Sequence, residues 1–263
     1  MTVQFRTLPV FGSDPRAVAN VVNGIMNGKT NNTGTITLAT GDATTTTLND
    51  LRIGGNSVIL FVPASAAAFA ESVPYGAFQS LVDQTIASAN TAYAMTLDTT
   101  DYSNGVTTSN SSRMNVKNAG VYNLQWSGQF VNTDSQLHDV SVWLRKNGSD
   151  VAGSTGFISV PNAHGGVNGH SIVGWNYFLE LAANDYIEIW WSATSTSISL
   201  QHLPTQTSPT RPSTASLITT LNMVGGSGAF DGIYASSQGQ GTATISHFAN
   251  STANKTYKYV VVG

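Results

Sequence analysis

The chain has 263 residues, of which 41% are hydrophobic and only 10% are charged, and its net charge is −3. Without a Lys/Arg cluster, a cysteine or an apolar run of ~18 residues, the sequence predicts no nucleic-acid binding, no disulfide or thiolate metal site and no membrane-spanning helix. A polar surface built from Ser, Thr, Asn, Gln and Gly suits strands and turns, so the composition predicts an all-β protein.

The first predicted element is an amphipathic helix over residues 14–27. Asp14 is a candidate N-cap, Pro15 suits the first helical position, and Gly28 is the expected end. Two roles fit its apolar stripe: packing on its own domain, or docking into a neighbouring subunit and so anchoring the protein. The stripe consists of Val18, Val21, Val22, Ile25 and Met26.

Short β-type runs follow the helix at residues 34–39, 44–48 and 57–62. The small-residue stretch 64–68 then predicts a linker or a short helix, and a glycine-rich linker lies far downstream at 225–228. The block between these two stretches differs from the flanking segments in its pattern of residues, which indicates a separate domain.

Apolar and polar residues alternate strongly inside that block. Tyr122, Leu124 and Trp126, for example, are separated by Asn123 and Gln125. Such strands have one buried and one wet face, and several of them with turns between indicate a β-sandwich or jelly roll. The clearest runs are 121–130, 139–145, 172–181, 186–192 and 217–223.

Strands near residues 241–247 and 256–262, after a short run at 233–236, complete the chain. Neither this piece nor the N-terminal one is large enough to hold a core alone. We therefore expect them to pair as a discontinuous, β-rich anchoring domain, residues 1–73 plus 225–263. The domain at 74–224 would be inserted into it.

Four stretches of the inserted block share a pattern with a known family. They are 118–124 (NAGVYNL), 142–148 (VWLRKNG), 178–188 (FLELAANDYIE) and the closing strand 217–223. On these residues the block resembles the complement C1q-like branch of the tumour-necrosis-factor superfamily, which implies a jelly roll that forms homotrimers. Asn184 stands where that family usually has glycine. The chain also lacks a collagen stalk, so no complement function is implied.

The outer segments resemble a type of phage virion protein. The likeness rests on Phe5-Arg6, 14–18 and 28–29 at one end, and on 239–247 and 257–261 at the other. The resemblance implies a non-enzymatic virion part, assembled in the host cytoplasm and exposed on the particle. Its implied partners are other virion proteins (portal, adaptor, tail or capsid) and a glycan or protein of the host surface.

Four aromatic residues fall on strand faces opposite the apolar stripes of their strands: Trp143, Phe178, Tyr186 and Trp190. Either the domain's own loops cover them, or they line the trimer interface that the resemblance implies. Aromatic residues are enriched at subunit interfaces because they bury a large area with little loss of entropy. Our hypothesis is that Phe178 and Trp190 contribute to that interface.

No catalytic arrangement is visible among the five histidines, and no nucleophile elbow is present. Asp98, Asp101 and Asp134 are loop carboxylates of the kind that bind calcium, but their spacing matches no calcium-loop motif. We therefore expect no enzyme activity, cofactor or metal site, and the sequence leaves a bound calcium ion open.

Three functions remain at this stage. The first is a trimeric phage tail fibre, with a head fibre or a capsid decoration (cement) protein as the alternative location. The second is a glycan-degrading spike enzyme, although such spikes usually carry a long repetitive β-helix and no repeat of 20–30 residues is visible. The third is a sugar-binding module that attaches to no particle.

Overall fold

The computed structural model describes residues 14–26, 31–69, 73–225 and 232–263. Strands account for 57% and helices for 7%, so the predicted all-β class is confirmed. The chain forms two compact units. We call Met1–Glu71 with Phe230–Gly263 the outer unit, and Ser72–Ala229 the inserted unit. The sequence placed these divisions after residues 73 and 224.

The elements follow one another in this order. The N-terminal part of the outer unit contains α1 (Pro15–Met26), β1 (Thr33–Thr37), β2 (Ala43–Asn49), β3 (Val58–Pro63) and α2 (Ala66–Phe69). The inserted unit contains β4 (Tyr75–Ser80), β5 (Gln84–Thr85), β6 (Tyr93–Ala94), β7 (Thr99–Asn104), β8 (Val106–Ser109), β9 (Arg113–Val116), β10 (Gly120–Asn132), β11 (His138–Lys146), β12 (Ser149–Asp150), β13 (Gly156–Val160), β14 (Gly169–Leu181), β15 (Tyr186–Ala193), β16 (Ile198–Leu200), β17 (Gln206–Thr207), β18 (Thr210–Arg211) and β19 (Leu217–Gly225). The C-terminal part of the outer unit contains β20 (Ile233–Gly239), β21 (Thr242–Asn250) and β22 (Thr256–Val262).

Local sequence signals explain several boundaries. The backbone N–H of Arg16 donates to Asp14 Oδ1 over 2.9 Å, so Asp14 caps α1 as predicted. The expected end of this helix at Gly28 lies outside the described residues. Between β11 and β12, Asn147 and Gly148 have φ values of 51° and 82°, which is the geometry that a two-residue hairpin turn requires. Residues 66–69 form α2, the short helix that was one of two options for this stretch.

The inserted unit contains two large antiparallel sheets. In the first, which we call the β10 sheet, the strands run in the order β14-β10-β19-β4-β7, and β16 and β5 extend it beside the end of β10. In the second, the β11 sheet, the order is β12-β11-β15-β9-β8, with β13 beside β11 and β6 beside β15. Every alternating run predicted in this block lies within one of these strands.

The core of the inserted unit lies between these two sheets. Phe130 on β10 and Trp191 on β15 are both almost fully buried, and their ring centroids are 5.7 Å apart. Tyr122 and Leu124 face the same core from β10, as the alternation predicted. Burying side chains of this size stabilises the fold by about 1.5–3 kcal/mol each, so this layer dominates the stability of the unit.

The outer unit joins the two ends of the chain. Its two three-stranded sheets have the orders β1-β22-β3 and β2-β21-β20, so C-terminal strands β22 and β21 each pair with N-terminal strands. Tyr259 on β22 packs so closely on Gly34 that a side chain there would lie 2.2 Å from its ring. A small core is shared by the two sheets. It consists of Ile36, Leu38, Leu48, Ile53, Ala68, Ala243, Ile245, Tyr257, Tyr259 and Val261.

A buried carboxylate fixes the loop after β2 to this core. Asp50 forms an ion pair with Arg52 and accepts a hydrogen bond of 2.8 Å from the hydroxyl of Tyr259. Arg52 also donates to the carbonyl of Thr33 on β1 over 3.2 Å. The hydrogen bonds from Arg52 and Tyr259 hold the pKa of Asp50 well below its ordinary value of 3.8. The group therefore stabilises the outer unit in its ionised form.

Candidate functional site

The outer face of the β11 sheet carries three of the four aromatic residues proposed for a subunit interface. Trp143 on β11 pairs directly with Trp190 on β15, and Tyr186 begins β15 on the same face. All three are partly exposed, whereas the alternating residues Ile189 and Trp191 point into the core. The aromatic residues thus lie where the strand alternation predicted them.

Charged neighbours occupy this aromatic face. The guanidinium of Arg145 lies 3.8 Å from the centroid of the Trp190 ring. Arg145 Nε is also 2.6 Å from Asp150 Oδ1, and the Trp143 indole donates to the same oxygen over 2.8 Å. These hydrogen bonds, that of Arg145 first, lower the pKa of Asp150. Trp143 and Trp190 therefore already have polar and cationic partners within the chain.

The other end of the same face is arranged in a similar way. Arg113 lies 4.2 Å from the centroid of the Tyr186 ring. Its Nε is 3.5 Å from Glu188 Oε1, and Glu188, only 5% exposed, also accepts a hydrogen bond of 2.7 Å from the Ser112 hydroxyl. The face is thus a network of internally paired charges and rings, which a partner would have to disrupt in order to bury it.

The outer face of the β10 sheet is different because it is almost free of charge. Phe178 on β14 lies here, opposite Asn123 on β10, and is 58% exposed. Among the described strands of this face, the charged residues are Glu180 at one end and Asp101, which accepts a hydrogen bond from Gln79, at the edge. Apolar and uncharged polar side chains cover the rest: Val121, Ile172, Ile218, Tyr102, Asn123, Gln125, Ser127, Asn176, Thr220 and Asn222.

The structure therefore separates the four proposed interface residues. Phe178 belongs to the β10 sheet, whereas Trp143, Tyr186 and Trp190 belong to the β11 sheet. Sequence reasoning missed two exposed apolar residues that share this face with Phe178 but lie farther along the sheet. Ile172 and Ile218 are 75% and 51% exposed. Each is an apolar residue at a position where the alternation of its strand predicts a polar one, and this exception could have revealed them in the sequence.

Helix α1 presents its apolar stripe to solvent. No residue of α1 is buried, and Val18 and Met26 are 37% and 80% exposed. Val22 and Ile25 are about half exposed, and Val21 is partly exposed. Packing of this stripe on the helix's own domain, one of the two expected roles, is thus not observed. The anchoring role stays a prediction.

A second apolar surface of the outer unit lies on the outer face of the β1-β22-β3 sheet. Val58, Leu60 and Val62 on β3 are 54%, 58% and 61% exposed. They pair with Val262, Val260 and Lys258 on β22. The sequence predicted the strand, but its continuous apolar run did not reveal that one face would remain uncovered.

The loop carboxylates considered as calcium ligands each have local partners. Asp98 accepts a hydrogen bond of 2.9 Å from the backbone of Leu81, and Asp134 Oδ2 lies 2.8 Å from His138 Nε2. The hydrogen bond with His138 lowers the pKa of Asp134. Within the described ranges, no three His, Cys, Asp or Glu side chains come together as a metal site would need.

No model of a protein family matches the chain, and no curated protein matches it either. In the part of the chain that the structure describes, no helix is long and apolar enough to cross a membrane.

Proposed function

We propose that this chain is a non-enzymatic structural protein of a phage particle, a homotrimeric tail fibre. The outer unit holds it to the particle, and the inserted unit is a C1q-like jelly roll that trimerises and contacts the host surface. The observation that carries the proposal is the outer face of the β10 sheet, where Phe178 is exposed and where Glu180 and Asp101 are the charged residues of the described strands. A head fibre or a capsid decoration protein is the alternative location.

The path of the chain through the inserted unit supports a jelly roll. From β9 onward the chain passes from the β11 sheet to β10, back to β11 and β13, across to β14, back to β15 and finally to β19. Repeated crossing between two packed antiparallel sheets is typical of jelly rolls and distinguishes them from simple meanders.

Contacts between the stretches that carry the resemblance support it further. Asn147, from 142–148, donates to Asp185 over 2.7 Å and accepts from the backbone N–H of Tyr186 over 3.0 Å, both in 178–188. Asn184, where the family usually has glycine, has a φ of 71°, a conformation that asparagine tolerates better than most residues. The departure from the family pattern is thus compatible with a turn of the left-handed kind that glycine favours.

The character of the β10 sheet's outer face supports self-association. A large exposed phenylalanine among aliphatic and amide side chains is typical of the core of an interface, where charged residues are depleted. Burying this face against other copies leaves few charges without a partner. A trimer would also present three jelly rolls together, and weak binding to a host surface would gain from multivalency.

Particle composition tests the virion role. We expect phage particles purified from the source to contain this protein in a copy number that is a multiple of three. Antibody labelling viewed by electron microscopy would place it on the tail or on the head. Absence of the protein from purified particles would contradict the proposal.

Competition for host cells tests the attachment role. We expect the purified protein to block adsorption of particles, and we expect Phe178→Asp to need about a 10²-fold higher concentration because avidity is lost with the trimer. Leu137→Asp, at a loop residue that is 59% exposed, is the matched control and should compete as well as the wild type. Equal competition by Phe178→Asp would contradict the proposed trimer-dependent attachment.

A further inference from the structure

The outer unit contains two uncovered apolar surfaces of different kinds. We call Val18, Val21, Val22 and Ile25 on α1 the helix stripe. We call Val58, Leu60, Val62, Val260 and Val262 the aliphatic sheet face. The side chains of the sheet face on β3, and Val262 on β22, are all more than half exposed. Both surfaces belong to the same unit, yet neither is buried in it.

Each surface is unfavourable when left in water. A helix of 12 residues is marginal on its own, and most of the stability of a short amphipathic helix comes from packing its apolar face. The sheet face lies partly on β3, an edge strand of its sheet, and apolar edge strands are sites where sheets associate or aggregate unless they are covered. Both features indicate that a partner covers them.

The two surfaces match in length and chemistry. From Val18 to Ile25 the stripe rises about 10 Å, since a helix advances ~1.5 Å per residue. From Val58 to Val62 the sheet face extends about 13 Å, at ~3.3 Å per residue. Along the described strands of that face Lys258 is the charged residue, and the stripe itself is purely aliphatic. A helix laid on a sheet is one of the standard ways to close such a layer.

We propose that the helix stripe of one copy of this chain docks on the aliphatic sheet face of a second copy. Within one chain the helix stripe is not covered by the sheet face, since no residue of α1 is buried. Exchange of identical helices between copies buries both surfaces in every copy, at low cost. The proposal does not rest on the virion function.

Because the chain contains no cysteine, introduced cysteines can be crosslinked selectively. Two full-length variants, Val22→Cys and Leu60→Cys, are co-expressed with different affinity tags and treated with a short bismaleimide. We expect a crosslinked species that carries both tags. The matched control pairs Leu60→Cys with Asn20→Cys, which lies on the opposite face of α1, and we expect at least a tenfold lower yield. All three positions are exposed, so the variants should fold.

Three results would overturn the proposal. One is an equal yield with Val22→Cys and Asn20→Cys. The second is crosslinking of Val22→Cys chains only to one another, which would indicate contact between helices. The third comes from a single chain with both Val22→Cys and Leu60→Cys: a crosslink that forms inside that chain, and not between chains, would show that the helix covers its own sheet. If the inserted units do not form a trimer but the crosslink between chains is found, the proposed trimer is refuted and this inference stands.

Discussion

The two units bury their apolar side chains to different degrees. The inserted unit closes two large sheets over a core of aromatic and aliphatic side chains, with Phe130 against Trp191 at its centre. The outer unit has two three-stranded sheets over a small shared core. It leaves the helix stripe and the aliphatic sheet face exposed to solvent. We therefore expect the inserted unit to be stable by itself, and we expect the outer unit to bury more of its apolar surface when a partner is bound.

The largest expected effect concerns the core of the inserted unit. Trp191→Ala removes a side chain that is 1% exposed and should lower the free energy of unfolding of that unit by about 3–5 kcal/mol. All five tryptophans lie in the inserted unit, so tryptophan fluorescence during denaturant unfolding reports on this unit alone. Trp175→Ala, at a residue that is 44% exposed, is the control and should cost less.

Hydrogen exchange of β21 and β22 shows whether this loss stays within its unit. We expect the protection of these amides in the outer unit to be unchanged in Trp191→Ala. A parallel loss of protection there would mean that the two units unfold together, and the comparison between them would fail.

The next effect concerns the outer unit. Asp50→Asn leaves Arg52 without its anionic partner and weakens the hydrogen bond from Tyr259. We expect a loss of about 1–3 kcal/mol, the range for hydrogen bonds to charged groups, detected as faster hydrogen exchange in β1 and β22. The fluorescence midpoint of the inserted unit should not move. A shifted midpoint, or unchanged exchange in β22, would contradict the assignment of this ion pair to the stability of the outer unit.

Acid should act on the outer unit through the same carboxylate. Because the pKa of Asp50 is lowered on folding, its contribution is fully present above the ordinary value of 3.8 and is lost as pH falls through the lower folded value. Exchange protection in β22 should therefore fall by about 1–2 kcal/mol in acid, below pH ~4, and the fall should be shallower in Asp50→Asn. Identical pH profiles for the two proteins would contradict this role of Asp50.

The smallest effect distinguishes the two outer faces of the inserted unit. Arg145→Ala removes the cation above Trp190 and the partner of Asp150, at a solvated site. We expect a loss of about 0.5–1 kcal/mol by fluorescence-detected unfolding and no change in oligomer mass. A change of mass would instead identify the aromatic face of the β11 sheet as the subunit contact.

Much of the fold could be predicted because local rules dominate it. The cap at Asp14, the turn at Asn147-Gly148 and the alternation in 121–130 each follow from the preferences of a few neighbouring residues. Pairing between the two ends of the chain, observed as β22 between β1 and β3, could also be predicted because neither end has enough apolar residues to form a core alone.

The surfaces were harder to predict because alternation shows which side of a strand a residue lies on but not which sheet the strand belongs to. Phe178 and Trp190 are 12 positions apart and both point away from the core, yet the chain crosses between sheets after β14. Likewise, the run at 57–62 predicts a strand but not which of its faces is covered, and Val58, Leu60 and Val62 are exposed. Only the three-dimensional pairing of strands reveals these cases.

Sedimentation velocity of the full-length protein at micromolar concentration tests most directly whether copies meet through the outer face of the β10 sheet. We expect a mass three times that of the 27.6 kDa chain for the wild type and for Leu137→Asp, a loss of the threefold mass for Phe178→Asp, and single chains when Val22→Asp also removes the proposed helix contact. A wild-type protein that sediments as a single chain, or a Phe178→Asp variant that keeps the threefold mass, would contradict the account.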